Sequence, residues 1–154
     1  MKFHTIIDNP KHLQVVKEIW LEYANSLDYH LSSIPTEMAT FPEPYRSTGG
    51  LFLVEFDGRF IGSAGLKLKD EDTLELKRFY IRPAYRRKGV GTAFIRYIIG
   101  EAKLLEKARI QLSTVLPNMK TAYKLYQSVG FYEVDTYFNA KINKKVAVMQ
   151  YDLI

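Results

Sequence analysis

One short loop constrains this chain more than any other stretch of its sequence. It separates a strand pattern, residues 73–81, from a helix pattern in which apolar residues recur every three or four positions. The loop contains, in order, Arg86, Arg87, Lys88, Gly89, Val90, Gly91 and Thr92. A chain that passes from strand to helix in this way is typical of a mixed α/β domain.

The same loop has the features of a phosphate-binding site. The first turn of a helix carries unpaired N–H groups and a partial positive charge, and both favour an anion. Gly89 and Gly91 lack a Cβ, so the backbone can approach such an anion closely. The spacing matches neither a P-loop nor the dinucleotide-binding fingerprint, because Phe94 stands where the third glycine would be. From the residues alone, an alternative stays open: the basic loop begins a helix and binds no phosphate.

The other patterns predict a single domain over residues 1–154, with one mixed sheet and helices on its faces. Helices are expected to begin at Pro10, Gly89 and Pro117, and Gly130-Phe131 predicts a left-handed cap after the third. Residues 32–50 form an irregular segment with space for one or two helical turns. The predicted strands cover residues 2–7, 51–56, 60–69, 73–81, 108–115, 132–138 and 146–153.

Composition excludes several kinds of chemistry. The chain has no cysteine, so it has neither disulfides nor a cysteine nucleophile. Its three histidines, His4, His12 and His30, are too scattered to suggest a site, and we expect no metal cofactor. No apolar run approaches the roughly 20 residues that span a bilayer, and no signal-peptide pattern is present. We therefore expect a cytoplasmic protein without a membrane partner.

In the strand before the loop, the apolar residues move from even-numbered to odd-numbered positions half-way along. Leu74 and Leu76 are apolar at even positions, whereas Phe79 and Ile81 are apolar at odd positions. A straight strand with one buried face does not switch in this way, but a bulge near residues 77–78 produces such a switch. A strand that is buried on both faces is the alternative.

Two motifs in the chain resemble those of the GNAT acetyltransferases. Residues 75–91, ELKRFYIRPAYRRKGVG, are similar to the coenzyme-A-binding motif of that family, whose core Q/R-x-x-G-x-G/A is matched by Arg86, Gly89 and Gly91. Residues 122–131, AYKLYQSVGF, resemble the second motif, A-x-x-L-Y-x-x-x-G-F. The resemblance implies a GNAT-like fold, with a mostly antiparallel sheet of about six or seven strands, about four helices and a central strand pair that splays apart.

The resemblance also implies acetyl transfer from acetyl-CoA, the one cofactor expected, to a primary amine of a small molecule or peptide. The pantetheine arm would pair with the backbone of the strand residues Phe79, Tyr80 and Ile81. Loop amides from residue 87 to residue 92 would hold the pyrophosphate. Many members carry an asparagine where this chain has Met119, so the neighbouring Asn118 is a candidate for that cofactor contact or for capping the helix.

A direct attack by the amine on the thioester, in a ternary complex, is the simplest mechanism for a chain without cysteine. Tyr126, the tyrosine of the second motif, is the candidate acid, and a core tyrosine on the helix stripe is the alternative. Glu75 is the candidate base, acting through a water, and a surface carboxylate paired with Lys77 is the alternative. A backbone N–H near Phe79 or Tyr80 is expected to stabilise the oxyanion.

The acceptor amine is expected to lie against the first helix, the irregular segment and the last hairpin. The candidates to line its site are the aromatic residues Trp20, Tyr23, Tyr29, His30, Tyr45, Tyr137 and Phe138 and the acidic residues Glu22, Asp28 and Glu37. For most of them a core or surface position is the alternative.

Two other functions stay open at this point. One is an acyl-CoA sensor that binds the cofactor without chemistry. The other is a nucleic-acid-binding domain, suggested by a net charge of +5. The chain has no nucleic-acid-binding motif and its basic residues concentrate at the loop, so we expect no nucleic-acid partner. A monomer and a homodimer both remain open, and this superfamily often forms dimers.

Overall fold

The computed structural model describes residues 1–6, 8–28, 39–46 and 49–154. Its strands form one sheet in the order β1-β2-β3-β4-β5-β7-β6. Within the described residues β4 and β5 are the one parallel pair, which confirms the mixed, mostly antiparallel sheet with four helices. The elements are β1 (Lys2–Ile6), α1 (Pro10–Asn25), α2 (Glu43–Arg46), β2 (Gly50–Phe56), β3 (Arg59–Asp70), β4 (Thr73–Ile81), a 3-10 turn (Pro83–Tyr85), α3 (Val90–Lys103), β5 (Arg109–Leu116), α4 (Lys120–Val129), β6 (Tyr132–Asn139) and β7 (Lys144–Asp152).

Helix α1 begins where the sequence predicts it, because two residues supply the start signal. The side chain of Asn9 accepts hydrogen bonds from two N–H groups of the first turn, at 3.0 and 3.1 Å. Pro10 occupies the first helical position, where no intrahelical donor is needed. Val16, Ile19 and Trp20 then form the buried face of the helix.

The sheet separates two apolar clusters, one on each face. One cluster packs under α3 and α4, and the other packs under α1 and α2. Strand β2 contributes to both in alternation, with Leu51 and Leu53 facing α1 and with Phe52 and Val54 facing α3. The predicted architecture of a single sheet covered on both faces is thereby confirmed.

Strand β4 contains the predicted bulge. Arg78 and Phe79 together oppose the single residue Ala64 of β3. Arg78 has a φ of 57°, in the left-handed region. The extra residue shifts the side-chain parity, so that the apolar residues on both sides of the bulge reach the cluster under α3 and α4. These residues are Leu74, Leu76, Phe79 and Ile81.

Strands β4 and β5 separate soon after they meet. They pair over residues 73–75 of β4 and 109–111 of β5. Beyond that point β4 continues to Ile81 along β3, whereas β5 continues along β7. The space between the two strands widens from that point, as the predicted splay requires. We call this space the gap. Along the gap the backbone of β4 is no longer paired with that of β5.

Helix α4 ends in the predicted left-handed cap. Gly130 has a φ of 116°, and the N–H of Phe131 donates to the carbonyl of Tyr126 at 3.0 Å. The rings of Phe131 and Tyr126 also pack at 5.6 Å between centroids. The cap therefore helps to hold Tyr126 in place.

Some element boundaries differ from the sequence expectations. Helix α4 begins at Lys120 rather than at Pro117, because residues 117–119 form a turn. Helix α3 ends at Lys103, and Leu105, which follows it, is 36% exposed. The expected irregular segment contains α2 in its described part, while residues 7, 32–38 and 47–48 lie outside the described residues.

Phe94 joins β4 to α3, and its removal should weaken the whole domain. Its fully buried ring stacks against Phe79 at 5.5 Å and against Phe3 at 6.0 Å. Phe94→Ala leaves a cavity, so we expect the free energy of unfolding to fall by about 3–5 kcal/mol in chemical denaturation. Leu104→Ala, at a side chain 75% exposed, is the control and should change it by less than ~0.5 kcal/mol. Equal losses in both variants would contradict this core.

Candidate active site

The loop before α3 presents the first turn of that helix to an open surface. Gly89 is the N-cap residue, with a φ of 77°, and a Cβ there would meet no atom within 4 Å. Arg87 also has a positive φ, 62°. No side chain of the described residues caps the helix, so its first N–H groups stay available to an anion. The loop thus has the backbone geometry that the sequence predicts for a phosphate site.

The basic side chains of the loop differ in their contacts. The Nε of Arg86 donates to the carbonyl oxygen of Ile81 at 2.7 Å, and its guanidinium lies 5.2 Å from the ring centroid of Tyr80. Arg86 therefore ties the loop to the end of β4. Lys88 lies over the ring of Tyr85, at 5.9 Å from the centroid. Arg86, Arg87 and Lys88 are all exposed to solvent.

Gly91 has a packing role that the sequence does not reveal. A Cβ at this position would lie 3.1 Å from Cδ2 of Leu125 on α4. The missing side chain therefore lets α4 approach the first turn of α3. This contact places the helix that carries Tyr126 beside the loop.

The backbone of β4 directs two N–H groups into the gap. The N–H of Arg82 donates to the carbonyl of Ile61 on β3 at 2.8 Å. Because N–H groups alternate sides along a strand, those of Ile81 and Phe79 point to the other side, where β5 has departed. An extended ligand can pair with such groups as an added strand does.

Tyr126 lies beside the gap on the face covered by α3 and α4. It is 6% exposed, and its ring meets that of Phe79 edge-on at 5.8 Å. Burial raises the pKa of the Tyr126 phenol far above its ordinary value, and the nearby Tyr23 adds to the rise. The phenol therefore remains protonated at physiological pH, and it can donate a hydrogen bond to a ligand in the gap.

Tyr23 approaches the same gap from the opposite face of the sheet. Its ring packs against Tyr80 at 5.5 Å, on the side covered by α1. Burial raises the pKa of Tyr23, while the charge of Arg78 acts in the opposite direction. The sequence patterns assign no role to Arg78, although it is a basic residue directly before the apolar residues 79–81.

Glu75 lies at the closed end of the gap. It is the last residue of β4 that pairs with β5, opposite Gln111. Its Oε1 is 3.9 Å from Nζ of Lys77, and both side chains are 23% exposed. The ion pair named as the alternative is therefore present. Phe79 is four residues further along β4, at most about 13 Å away at strand spacing.

Asn118 does not cap helix α4, so that expectation was wrong. Met119 is the N-cap residue, and no side chain of the described residues bonds to the first turn. Instead, Nδ2 of Asn118 donates to Oδ1 of Asp28 at 2.8 Å. Asp28 also pairs with Lys144 at 3.6 Å. This turn is therefore tied to the segment that follows α1.

The expected acceptor-lining residues fall into different environments. Trp20 and Tyr45 are 0% and 1% exposed and pack on each other at 5.1 Å, so both occupy the core, which is the alternative for these residues. Tyr137 and Phe138 are exposed on β6. Glu22 pairs with Arg82 at 3.2 Å. Tyr29, His30 and Glu37 lie outside the described residues.

The described residues contain neither a candidate metal site nor a candidate membrane-spanning helix. No group of three or more His, Cys, Asp or Glu side chains is arranged to hold a metal ion. In the same part of the chain, no helix has the length and apolar character needed to cross a membrane.

The sequence model of the acetyltransferase (GNAT) family matches residues 13–131 of the chain. The chain belongs to the GNAT acetyltransferase family. It is accordingly an acetyl-CoA-dependent acyltransferase, as the two sequence motifs predict. The family assignment also agrees with the fold, because the matched segment contains the gap, the basic loop and the cap at Gly130.

Individual members of the GNAT family are similar to the chain over most of its length. It is 27% identical to the N-acetyltransferase YjgM of Escherichia coli (strain K12) over 139 residues, 88% of this chain and 83% of that protein. It is 32% identical to the N-acetylaspartate synthetase of Danio rerio over 111 residues, 70% of this chain but 39% of that protein.

Solved structures of GNAT acetyltransferases share the fold. The yncA protein of Salmonella typhimurium, solved with acetyl-CoA, superposes with a TM-score of 0.80 at 16% identity, covering 100% of this chain and 95% of that one. An aminoglycoside 6'-N-acetyltransferase in complex with coenzyme A superposes with a TM-score of 0.78 at 15% identity, covering 100% of this chain and 98% of that one. At such identities the likeness extends to the fold alone.

Gly89 and Gly100 offer a matched test of the loop geometry. Both have open space where a Cβ would stand, but Gly89 has a positive φ and Gly100 lies in regular helix. We expect Gly89→Ala to lower the free energy of unfolding by about 1 kcal/mol, and Gly100→Ala to raise it by about 0.5–1 kcal/mol. Denaturant titrations of both variants measure this. Equal stabilisation would show that Gly89 is not held in the left-handed region.

Proposed function

We propose that this protein is an N-acetyltransferase that moves the acetyl group of acetyl-CoA to a primary amine of a small molecule or peptide. The amine attacks the thioester directly in a ternary complex. One observation carries the proposal: the gap beside Phe79–Ile81 leads to the uncapped first turn of α3. A ligand with an extended arm and a diphosphate fits that succession of backbone groups.

The residues of the loop fit the diphosphate of acetyl-CoA. The amides from Arg87 to Thr92 surround the start of α3, where the helix favours an anion. Gly89 leaves the approach open, since no atom lies within 4 Å of a Cβ built there. Arg87 and Lys88 supply exposed cations for the phosphates. Asn118, in the turn before α4, remains a further candidate contact to the cofactor.

The residues along the gap fit the pantetheine arm and the thioester. The N–H groups of Phe79 and Ile81 face the gap and can pair with the amides of the arm. The backbone of Tyr80, between them, completes the strand segment along which the arm lies. At the inner end, the N–H of Phe79 is positioned to stabilise the oxyanion that forms when the amine attacks.

Tyr126 assists the departure of the sulfur. The new C–N bond forms first and gives the oxyanion; the C–S bond then breaks as the carbonyl re-forms, and the sulfur leaves as a thiolate whose ordinary pKa is about 8.5. Because burial raises the pKa of Tyr126, the phenol stabilises this thiolate mainly as a hydrogen-bond donor. Full proton transfer from such a weak acid is unfavourable. The proton that the nitrogen loses passes first to Glu75, through a water, and then through solvent to the thiolate.

Glu75 is the proposed acceptor of the amine's proton. Its position at the closed end of the gap requires a water between the carboxylate and the amine. The same carboxylate lies 3.9 Å from Nζ of Lys77.

The relatives support an acceptor with a primary amine. The N-acetylaspartate synthetase of Danio rerio, 32% identical over its matched part, has a name that describes an N-acetylated amino acid as its product. Ribosomal-protein-S18-alanine N-acetyltransferase from Escherichia coli shares the fold with a TM-score of 0.74.

A free-thiol assay with acetyl-CoA and a panel of amines and peptides tests the proposal. Bound acetyl-CoA without any thiol release would instead indicate the sensor function.

Reversing the charge at the loop should weaken cofactor binding. Arg87→Glu places a carboxylate beside the proposed diphosphate, so we expect the Kd for acetyl-CoA to rise roughly 10-fold or more in calorimetry. Arg96→Glu makes the same change at an exposed position further along α3 and should leave the Kd nearly unchanged. Equal Kd values for Arg87→Glu and the unmodified protein would contradict the phosphate site.

Removing one hydroxyl should separate chemistry from cofactor binding. Tyr126→Phe keeps the buried ring but deletes the donor to the sulfur, so we expect kcat to fall roughly 100-fold with the Kd for acetyl-CoA unchanged. Tyr123→Phe, on the same helix, is the matched control and should retain turnover. An unchanged kcat in Tyr126→Phe at saturating substrates would remove this residue from the mechanism.

A further inference from the structure

Strand β6 forms one edge of the sheet, and its apolar side chains face solvent. Among the described residues it pairs with β7 alone, so every second residue directs its backbone N–H and C=O away from the sheet. Tyr132 and Val134 are each 44% exposed, Tyr137 is 46% exposed and Phe138 is 63% exposed. Strand β6 thus presents unpaired backbone groups and apolar surface together.

The strand at the opposite edge, β1, presents no comparable surface. Phe3 of β1 stacks against Phe94 at 6.0 Å and against Tyr97 at 5.0 Å, and Ile6 is 4% exposed. The apolar side chains of β1 therefore pack into the core, and the strand has five residues against eight in β6. Short, covered edges resist association with other strands. Of the two edges, β6 is the one suited to a partner.

The two aromatic residues near the end of β6 point to opposite faces of the sheet. Tyr137 and Phe138 are consecutive, and side chains alternate along a strand. Within the sheet they pair with Val146 and Lys145 of β7. A strand added beside β6 brings side chains to within about 5 Å of both positions, measured between Cβ atoms. A helix or a ligand that docks on one face covers one ring alone, so the pattern favours a β-strand as the partner.

Charged side chains divide this edge into an acidic end and a basic end. Glu133 and Asp135 lie in the first half of β6, Lys141 lies in the turn after it, and Lys145 lies in the adjoining part of β7. All four are exposed, and in the described part of the chain none has an ion-pair partner. An antiparallel copy of the strand sets its acidic end beside the basic end. A parallel copy sets like charges side by side, which is destabilising.

We propose that β6 pairs in antiparallel fashion with β6 of a second copy of this chain, which joins the two sheets into one. A twofold axis relates the copies, so the contact between an acidic and a basic end occurs twice. Such an interface closes on itself and gives a dimer rather than a filament. The bulge at Val134 and the acidic residues beside it disfavour pairing with unrelated strands.

The proposed interface is separate from the gap between β4 and β5. In the sheet, β7 lies between β5 and β6, and the gap is on the other side of β5. Neighbouring strands are about 4.8 Å apart, so β6 is about 10 Å from β5. The dimer therefore does not depend on acetyl transfer, and its test requires neither cofactor nor acceptor.

Sedimentation velocity of the full chain over a range of concentrations tests the proposal. We expect the native chain to reach twice the mass of one chain, with no larger assembly. A chain that stays monomeric at its highest soluble concentration would overturn the proposal, and this is the outcome if β6 instead receives a peptide or another protein. Growth beyond the dimer would also overturn it, because a twofold interface is closed.

Charge reversal locates the interface. An acid-reversed variant carries Glu133→Lys and Asp135→Lys, and a base-reversed variant carries Lys141→Glu and Lys145→Glu. Each places like charges at both contacts, so we expect the Kd of its dimer to rise roughly 10-fold or more. An equimolar mixture should form mixed dimers, detected by native mass spectrometry, because every contact then joins opposite charges. Unchanged Kd values in both variants, or a mixture without mixed dimers, would overturn the proposal.

Matched variants separate the interface from net charge and from general surface effects. Glu18→Lys with Glu71→Lys makes the same change in net charge at exposed positions on α1 and in the β3–β4 turn, and it should keep the native Kd. Phe138→Lys should raise the Kd, whereas Leu104→Lys, at a side chain 75% exposed after α3, should not. Circular dichroism and thermal unfolding establish that each variant is folded. Equal weakening by the controls and by the β6 variants would overturn the proposal.

Discussion

The structure depends on one constraint: β4 and β5 cannot remain paired beyond three residues. β5 is held by β7 along its whole length, while β4 is held by β3 and bends at the bulge of Arg78 and Phe79. Each strand therefore has a partner that draws it away from the other. The resulting gap is fixed by antiparallel ladders on both sides, and it exposes backbone groups that a ligand can satisfy. The function that we propose uses this opening in the sheet.

Two layers of helices meet at that opening. Tyr126 reaches it from the face of α3 and α4, and Tyr23 reaches it from the face of α1. Burial keeps both phenols protonated, since it raises the pKa of each. The gap is thus bordered by hydrogen-bond donors from the backbone and from two tyrosine side chains. Such a lining suits a reaction in which negative charge develops on oxygen and then on sulfur.

Local sequence signals predicted much of the fold and part of the site. The parity switch between Leu76 and Phe79 gave the bulge, and the glycines gave the exposed helix start, because both effects act within a few residues. The contact of Asn118 with Asp28 joins residues 90 positions apart, and no local pattern indicates it. The burial of Trp20 and Tyr45 likewise depends on how α1 and α2 pack together. Sequence patterns specify which faces are apolar, but they leave open which aromatic rings fill the core.

Amide hydrogen exchange with and without acetyl-CoA tests the central claim most directly. If the thioester arm lies along β4, the N–H groups of Phe79 and Ile81 gain a partner, and their exchange slows when acetyl-CoA is bound. The amides at the start of α3, around Val90, slow with them. Bound acetyl-CoA that leaves exchange at residues 79–81 unchanged would contradict the account.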